Sequence, residues 1–201
     1  EDNQVTNNQH CGICLYESSN VVIRDNAISN DDFGISLYSS NNNEVVENIV
    51  QGARILGITL QGASDNSVVG NAVSNNGTGI AISNYTDPPK NSQRNVIIGN
   101  ILQSNSDGIT VEDISDANIV GNTISLSSTW DIVIMNSLSI DIYYNSLETG
   151  SLVYNNSRSQ WDNGSEGNYW SDHSSWDANG DGISDALYQI ETGGTDRYPL
   201  M

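Results

Sequence analysis

Asn26-Ala27-Ile28-Ser29-Asn30-Asp31-Asp32-Phe33-Gly34-Ile35-Ser36-Leu37-Tyr38 opens a unit that closes at Asn48, where the pattern restarts and runs on to Gly57-Ile58-Thr59-Leu60. Working outward, the asparagine recurs as Asn3, Asn26, Asn48, Asn71, Asn100, Asn122 and Asn145, at intervals of 22 or 23 residues with a single interval of 29. Related strands follow as Gly12-Ile13-Cys14-Leu15, Gly79-Ile80-Ala81-Ile82 and Gly108-Ile109-Thr110-Val111, with Asp131-Ile132-Val133-Ile134 as a variant. The long interval contains a turn-rich insertion, Asn84-Tyr85-Thr86-Asp87-Pro88-Pro89-Lys90, and removing it restores the period. Aliphatic residues sit two places after each asparagine (Val5, Ile28, Val50, Val73, Leu102, Ile124, Leu147) and, in all but the first unit, three places before it. Each unit therefore offers three short runs with apolar residues at every second place, separated by Asn, Ser, Gly and Asp, which marks half-buried strands between turns.

A sustained period in the twenties is the signature of a solenoid. No run is long enough for a helix, and a leucine-rich repeat would need a leucine-dominated consensus. The pattern predicts an all-β fold, a parallel β-helix solenoid of about seven coils of 22–23 residues. Stacking coils at the sheet spacing of roughly 4.8 Å places equivalent asparagines one above another, with each amide in reach of the next. Residues 1–156 are assigned to the repeats, with the insertion at 84–90, and residues 157–201 to an irregular aromatic cap. Trp161, Trp170 and Trp176 appear there with Tyr169, Tyr188 and Tyr198, suited to covering an end coil whose core and strand edges would otherwise be open. The chain starts within a coil, so the N-terminal coil is expected to be uncapped and to self-associate or be covered by another segment.

Six basic and 25 acidic residues give a net charge of −19, which disfavours nucleic acid and anionic membrane surfaces as partners. There is no membrane-spanning run, so direct membrane insertion is not expected. A polar Ser/Asn/Thr surface with little lysine predicts an extracellular or cell-surface setting. Glycosylation sequons begin at Asn76, Asn84, Asn155 and Asn163.

Two local motifs stand apart from the repeat. His10-Cys11-Gly12-Ile13-Cys14 is read as structural, as a soft-metal site or as a disulfide. An extended strand would hold cysteines three residues apart near 10 Å, too far to bridge, which weighs against the disulfide. In Asp177-Ala178-Asn179-Gly180-Asp181-Gly182-Ile183-Ser184-Asp185, oxygen side chains alternate around a glycine turn as in the first nine places of a calcium loop. Asp177, Asn179, Asp181, Asp185 and the Ile183 carbonyl are the candidate ligands of a structural calcium ion. Tyr188 stands where a full EF-hand loop has its bidentate glutamate.

The tail Gly167-Asn168-Tyr169-Trp170-Ser171-Asp172, the Asp177–Asp185 loop, Tyr188-Gln189-Ile190 and Asp196-Arg197-Tyr198-Pro199-Leu200-Met201 resemble the C-terminal segment of NosD-like β-helix proteins. That group includes periplasmic copper-site maturation proteins and surface proteins of methanogenic archaea. The resemblance implies a right-handed parallel β-helix and an exported location. Copper delivery is a weak expectation here, because His10, His173, Met135, Met201 and the two cysteines are scattered.

Catalysis on polysaccharides would need either paired carboxylates across a groove or a base beside a cationic cluster, as in lyases and epimerases. Arg24, Arg54, Lys90, Arg94, Arg158 and Arg197 form no such cluster in sequence. Asp25 and Glu47 are neighbours on adjacent coils, and Asp31, Asp32, Asp107 and Asp131 fall in or near another turn column. The expected role is therefore a non-catalytic, calcium-stabilised structural protein of the cell surface, able to self-assemble. A carbohydrate-binding or adhesive module using Tyr16, Tyr38 or Tyr85 against cell-surface glycans is the alternative, followed by a lyase or epimerase and by copper-site maturation.

Overall fold

The computed structural model describes residues 1–86, 89–150 and 152–201, all of them strand, turn or irregular. Three parallel sheets wind around one core. The first has eight strands, beginning with Gln4–Thr6, Ala27–Ser29, Ile49–Gln51 and Ala72–Ser74, and ending with Tyr169–Trp170. The second has seven, from Cys11–Tyr16 and Phe33–Tyr38 through Asp107–Glu112 and Trp130–Met135 to Val153–Asn155. The third runs over seven strands from Val22–Arg24 to Arg158–Gln160. Successive strands of these three sheets are one coil apart in sequence and pair in register, as in Ile28 with Val50 and Val50 with Val73, with a register shift where Leu138–Tyr143 meets Arg158–Gln160.

The core is the set of residues that the alternation selects. Ile35, Leu37, Ile58, Leu60, Ile80 and Ile82 are buried from the second sheet, Val45, Val68 and Ile97 from the third, and Val50, Val73 and Leu102 from the first. Because each column is aliphatic, every coil buries a branched side chain directly on its counterpart, and apolar area leaves water at each layer.

The corner between the third and first sheets is held by the asparagine ladder. The backbone N–H and the Nδ2 of each rung both donate to Oδ1 of the next, as from Asn48 to Asn71 at 2.9 and 3.0 Å. Asn71 also donates to the carbonyls of Val45 and Val69. The ladder extends one rung beyond the predicted set: Asn145 donates twice to Asn168. Shorter ladders brace the other corners, Asn43–Asn66–Asn95 and Asn76–Asn105. Buried polar groups are tolerated because their bonds are made within the column.

Glycine recurs before the Ile-x-Leu run because the coils nearly touch there. A Cβ on Gly79 would lie 2.6 Å from the Gly108 carbonyl oxygen, and one on Gly57 would lie 2.6 Å from that of Gly79. Asp131 takes this place in the sixth strand and is fully buried. It lies within the strand Trp130–Met135, as the run Asp131-Ile132-Val133-Ile134 suggested.

The cap continues the helix before it departs from it. Trp161 and Trp170 are buried against the last coil, whereas Trp176 is exposed. Trp170 stacks on Tyr188 at 4.1 Å. Asp162, itself buried, takes a paired ion contact from Arg197.

Candidate functional site

Hollows open on several faces, and those on the outward face of the second sheet combine aromatic rings with charged side chains. At the recurrent glycine each strand bends, so the residue just before it and the second residue after it both face out. Cys11 and Cys14 occupy these places in the first coil, Phe33 and Ser36 in the second, Asp107 and Thr110 in the fifth. The Cα atoms of Cys11 and Cys14 are consequently 6.1 Å apart, and the two sulfurs are bonded. The expectation that a strand would hold them too far apart is thus corrected: it assumed an unbroken extension that Gly12 interrupts. The bridge also removes both thiols from any soft-metal set with His10. The ring of His10 packs edge-on against Phe33.

Small residues, Ser36, Thr59 and Ala81, form the buried floor of a trough between larger side chains. Two hollows open along it. The first, about 510 Å³, is lined by His10, Tyr16, Glu17, Tyr38, Tyr85 and Lys90. Tyr16 and Tyr38 stack at 5.0 Å and 15°, presenting an aromatic plate spanning two coils. Tyr16 is 59% exposed, while burial pushes the Tyr38 phenol up from its ordinary pKa. The insertion supplies the opposite wall. Tyr85–Thr86 and Pro89–Lys90 pair as an antiparallel hairpin, and residues 87 and 88 lie outside the described residues. The hairpin lies over Gly62, where a Cβ would meet Tyr85 and Lys90 at 2.7 and 2.9 Å. Lys90 Nζ reaches Glu17 at 2.8 Å and holds that carboxylate below its ordinary pKa.

The second hollow, about 410 Å³, is lined by Asp107, Thr110, Glu112, Trp130, Met135 and Tyr154 among others. The Trp130 and Tyr154 rings are 5.9 Å apart. Oδ1 of Asp107 is buried without a hydrogen-bond partner, and burial raises this carboxyl above its ordinary pKa. Sequence reasoning passed over Trp130 and Tyr154. The available signal was an aromatic ring at an outward place that holds Thr78 and Asp107 in earlier coils.

The remaining candidates disperse. Arg24 pairs with Asp25 and reaches Glu47, Arg54 pairs with Asp32, and Arg94 with Asp65. Asp31 is fully buried, and one of its carboxylate oxygens lacks a partner. Asn76 and Asn155 are buried with their amides bonded to Asn105 and to the Gly193 carbonyl, which closes those two sequons to modification in the folded protein. Asn84 donates to the Asp113 carbonyl and Asn163 to the Tyr144 hydroxyl. In the 177–185 loop, Asp177 accepts backbone N–H groups of Gly180 and Gly182, and Asp185 accepts that of Ala178. These bonds lower the Asp177 pKa. Among the described residues no three His, Cys, Asp or Glu converge as a metal site.

A family model for the right-handed β-helix region matches residues 1–163, and the chain belongs to that family. Among solved structures it is similar to the periplasmic alginate epimerase AlgG, with a TM-score of 0.67 and 18% identity over 78% of this chain. A single-substitution mutant of that epimerase matches with a TM-score of 0.66 and the same identity. The match spans 42% of the epimerase chain, and at this identity it speaks to the fold alone. No curated protein sequence matches.

Proposed function

We propose that this chain is an exported, non-catalytic glycan-binding β-helix that holds a neutral saccharide in the trough of its second sheet. One observation carries the reading: the stacked Tyr16–Tyr38 plate and Tyr85 line one hollow together with the polar groups of His10, Glu17, Ser39 and Lys90, an aromatic surface ringed by hydrogen-bonding side chains. The apolar face of a sugar ring stacks on such a plate, and Glu17, His10 and Lys90 are placed to meet its hydroxyls. Neutral glycans are favoured over uronates. The chain carries −19, and Lys90, the one Lys or Arg among the described residues lining the hollow, is already paired with Glu17.

The likeness to an alginate epimerase keeps uronate chemistry as the second reading, with Asp107 and Glu112 as its carboxylates. Among the described residues no Lys or Arg lines that second hollow to neutralise a uronate. The NosD-like relationship and a copper role gain no ligand cluster, since the cysteines are bridged.

The test is a glycan array probed with the purified chain, followed by calorimetry on any hit. Neutral oligosaccharides should be retained, and Tyr16→Ala with Tyr38→Ala should weaken binding at least tenfold without changing the fold. Retention of alginate fragments with a change in their uronate composition would instead establish the epimerase reading.

A further inference from the structure

Among the described residues the trough offers a ligand no unpaired Lys or Arg, and one stands on another face. Five of the six basic side chains are paired with carboxylates: Arg24 with Asp25, Arg54 with Asp32, Lys90 with Glu17, Arg94 with Asp65 and Arg197 with Asp162. Arg158 is the sixth, and among the described residues its guanidinium has neither an ion pair nor a hydrogen bond. The chain holds 25 acidic residues, yet the fold sets none of those described against it.

Arg158 stands where the third sheet is irregular. Leu138 pairs with Arg158 and Ile140 with Ser159, so Ser139 is an extra residue without a partner across the strands, held at a φ of 54°. Such a bulge bends its strand and re-aims the side chains beside it. A hollow of about 690 Å³ opens there, lined by Leu138, Ser139, Asp141, Arg158, Ser159 and Gln160 among others. Ile140 and Ile142 are buried, so the alternation turns Asp141 outward, and Gln160 is its register partner. The side chains of Ser139 and Gln160 likewise have no hydrogen-bond partner among the described residues.

We infer that this hollow binds a carboxylate-bearing sugar, with the Arg158 guanidinium on the carboxylate and Ser139, Asp141 and Gln160 on the hydroxyls. An arginine fork presents parallel N–H donors that match a planar carboxylate. The amide of Gln160 both donates and accepts, as neighbouring sugar hydroxyls require. Leu138 is 56% exposed and gives the C–H face of the ring an apolar patch among these polar groups. Charge limits the ligand to one negative group. A single guanidinium balances one charge, and the second charge of a phosphate would be left facing a chain of −19. Burial and the Asp116 carboxylate raise the Asp141 carboxyl above its ordinary pKa, which disfavours the ionised form that would repel the ligand. The site is separate from the trough: it belongs to the last strands of the third sheet, whereas the tyrosine plate belongs to the first strands of the second.

Titration of the isotope-labelled chain with galacturonate, followed by NMR, tests the inference. The amide signals of Ser139, Arg158 and Gln160 should shift saturably, and those of Tyr16 and Tyr38 should stay in place. Galactose, the uncharged counterpart, and acetate, a carboxylate without hydroxyls, should each bind at least tenfold more weakly. Arg158→Ala should weaken galacturonate binding at least tenfold, with Arg158→Lys, which keeps the charge but not the fork, in between. Galacturonate that moves none of the hollow's signals overturns the proposal, as does an Arg158→Ala chain that binds as well as wild type. Acetate matching galacturonate overturns the sugar assignment, and a sulfated galactose binding more tightly overturns the carboxylate assignment. Arg158 is exposed and makes no bond that its removal would break, so the rest of the spectrum should be unchanged in the variant. The Tyr16→Ala, Tyr38→Ala chain should bind galacturonate as wild type does, which keeps failure of this site separate from failure of the trough.

Discussion

Asn168 donates its backbone N–H to Oδ2 of Asp196 at 2.7 Å, and so the asparagine ladder ends on a carboxylate. Every rung points its N–H groups toward the next, which leaves the last rung needing an acceptor that no further asparagine supplies. Asp196 also accepts the Trp170 indole N–H at 2.8 Å and the Tyr198 N–H at 3.0 Å, tying the ladder, the aromatic lid and the tail to one side chain.

That arrangement has a pH consequence. Burial raises the Asp196 carboxyl, so its ionised form is less favoured in the folded than in the unfolded chain, and acidification from neutrality relieves this cost. Asp162 is opposite: the Arg197 guanidinium lowers its pKa, and its stabilisation is lost only as pH falls through that depressed value. Thermal unfolding against pH should therefore peak on the acidic side of neutrality and fall at lower pH. Asp162→Asn should cost about 1–3 kcal/mol at neutral pH and flatten the acid limb. A melting temperature that falls steadily from neutrality downward would contradict this account.

The ladder is expected to be unevenly sensitive along its length. Asn71→Ala strips the acceptor from both Asn48 donors and leaves the Val45 and Val69 carbonyls short of a donor. With an unmet buried group costing about 1–3 kcal/mol, the total should exceed about 3 kcal/mol. Asn3→Ala, at an exposed rung, should cost under about 1 kcal/mol. Urea unfolding of both variants measures the difference, and equal losses would mean that the ladder carries little of the stability.

Two glycines make a matched pair. Gly79→Ala drives a methyl into the Gly108 carbonyl and should cost about 3 kcal/mol. Gly99→Ala meets open space and bears only the left-handed backbone penalty, about 1–2 kcal/mol. The order of their melting temperatures checks the steric explanation of the repeat.

Calcium binding by the Asp177–Asp185 loop is a proposal that rests on its alternating oxygens. Calcium at ten times its dissociation constant should add about 1.4 kcal/mol to stability, read as a rise in melting temperature that chelator reverses. Asp177→Ala with Asp181→Ala should abolish the rise. A wild-type chain indifferent to calcium and chelator would leave the loop as a hydrogen-bonded turn.

The architecture was legible because it repeats: period-two aliphatics and the asparagine clock locate the three strands of each coil without any long-range information. Tyr16, Tyr38 and Tyr85 were legible as outward rings, but not as one hollow, since Tyr85 reaches the others only through the fold-back of its hairpin. The disulfide was misjudged because a bend at Gly12 depends on contact with the coil above. Asn168 was missed as a rung because the surrounding aromatic residues mask its repeat, and Asp196 as the terminus because it comes from a segment outside the repeat.

The hairpin at Tyr85–Lys90 leaves the stacking undisturbed: Ile80 pairs with Ile109 and Val68 with Ile97 as though the extra residues were absent. The length of chain spent on a coil is thereby uncoupled from the rise of the column. A loop inserted at this corner can be lengthened, shortened or rewritten while the layers above and below keep their places. In such a chain recognition can change at one site without renegotiating the rest of the molecule.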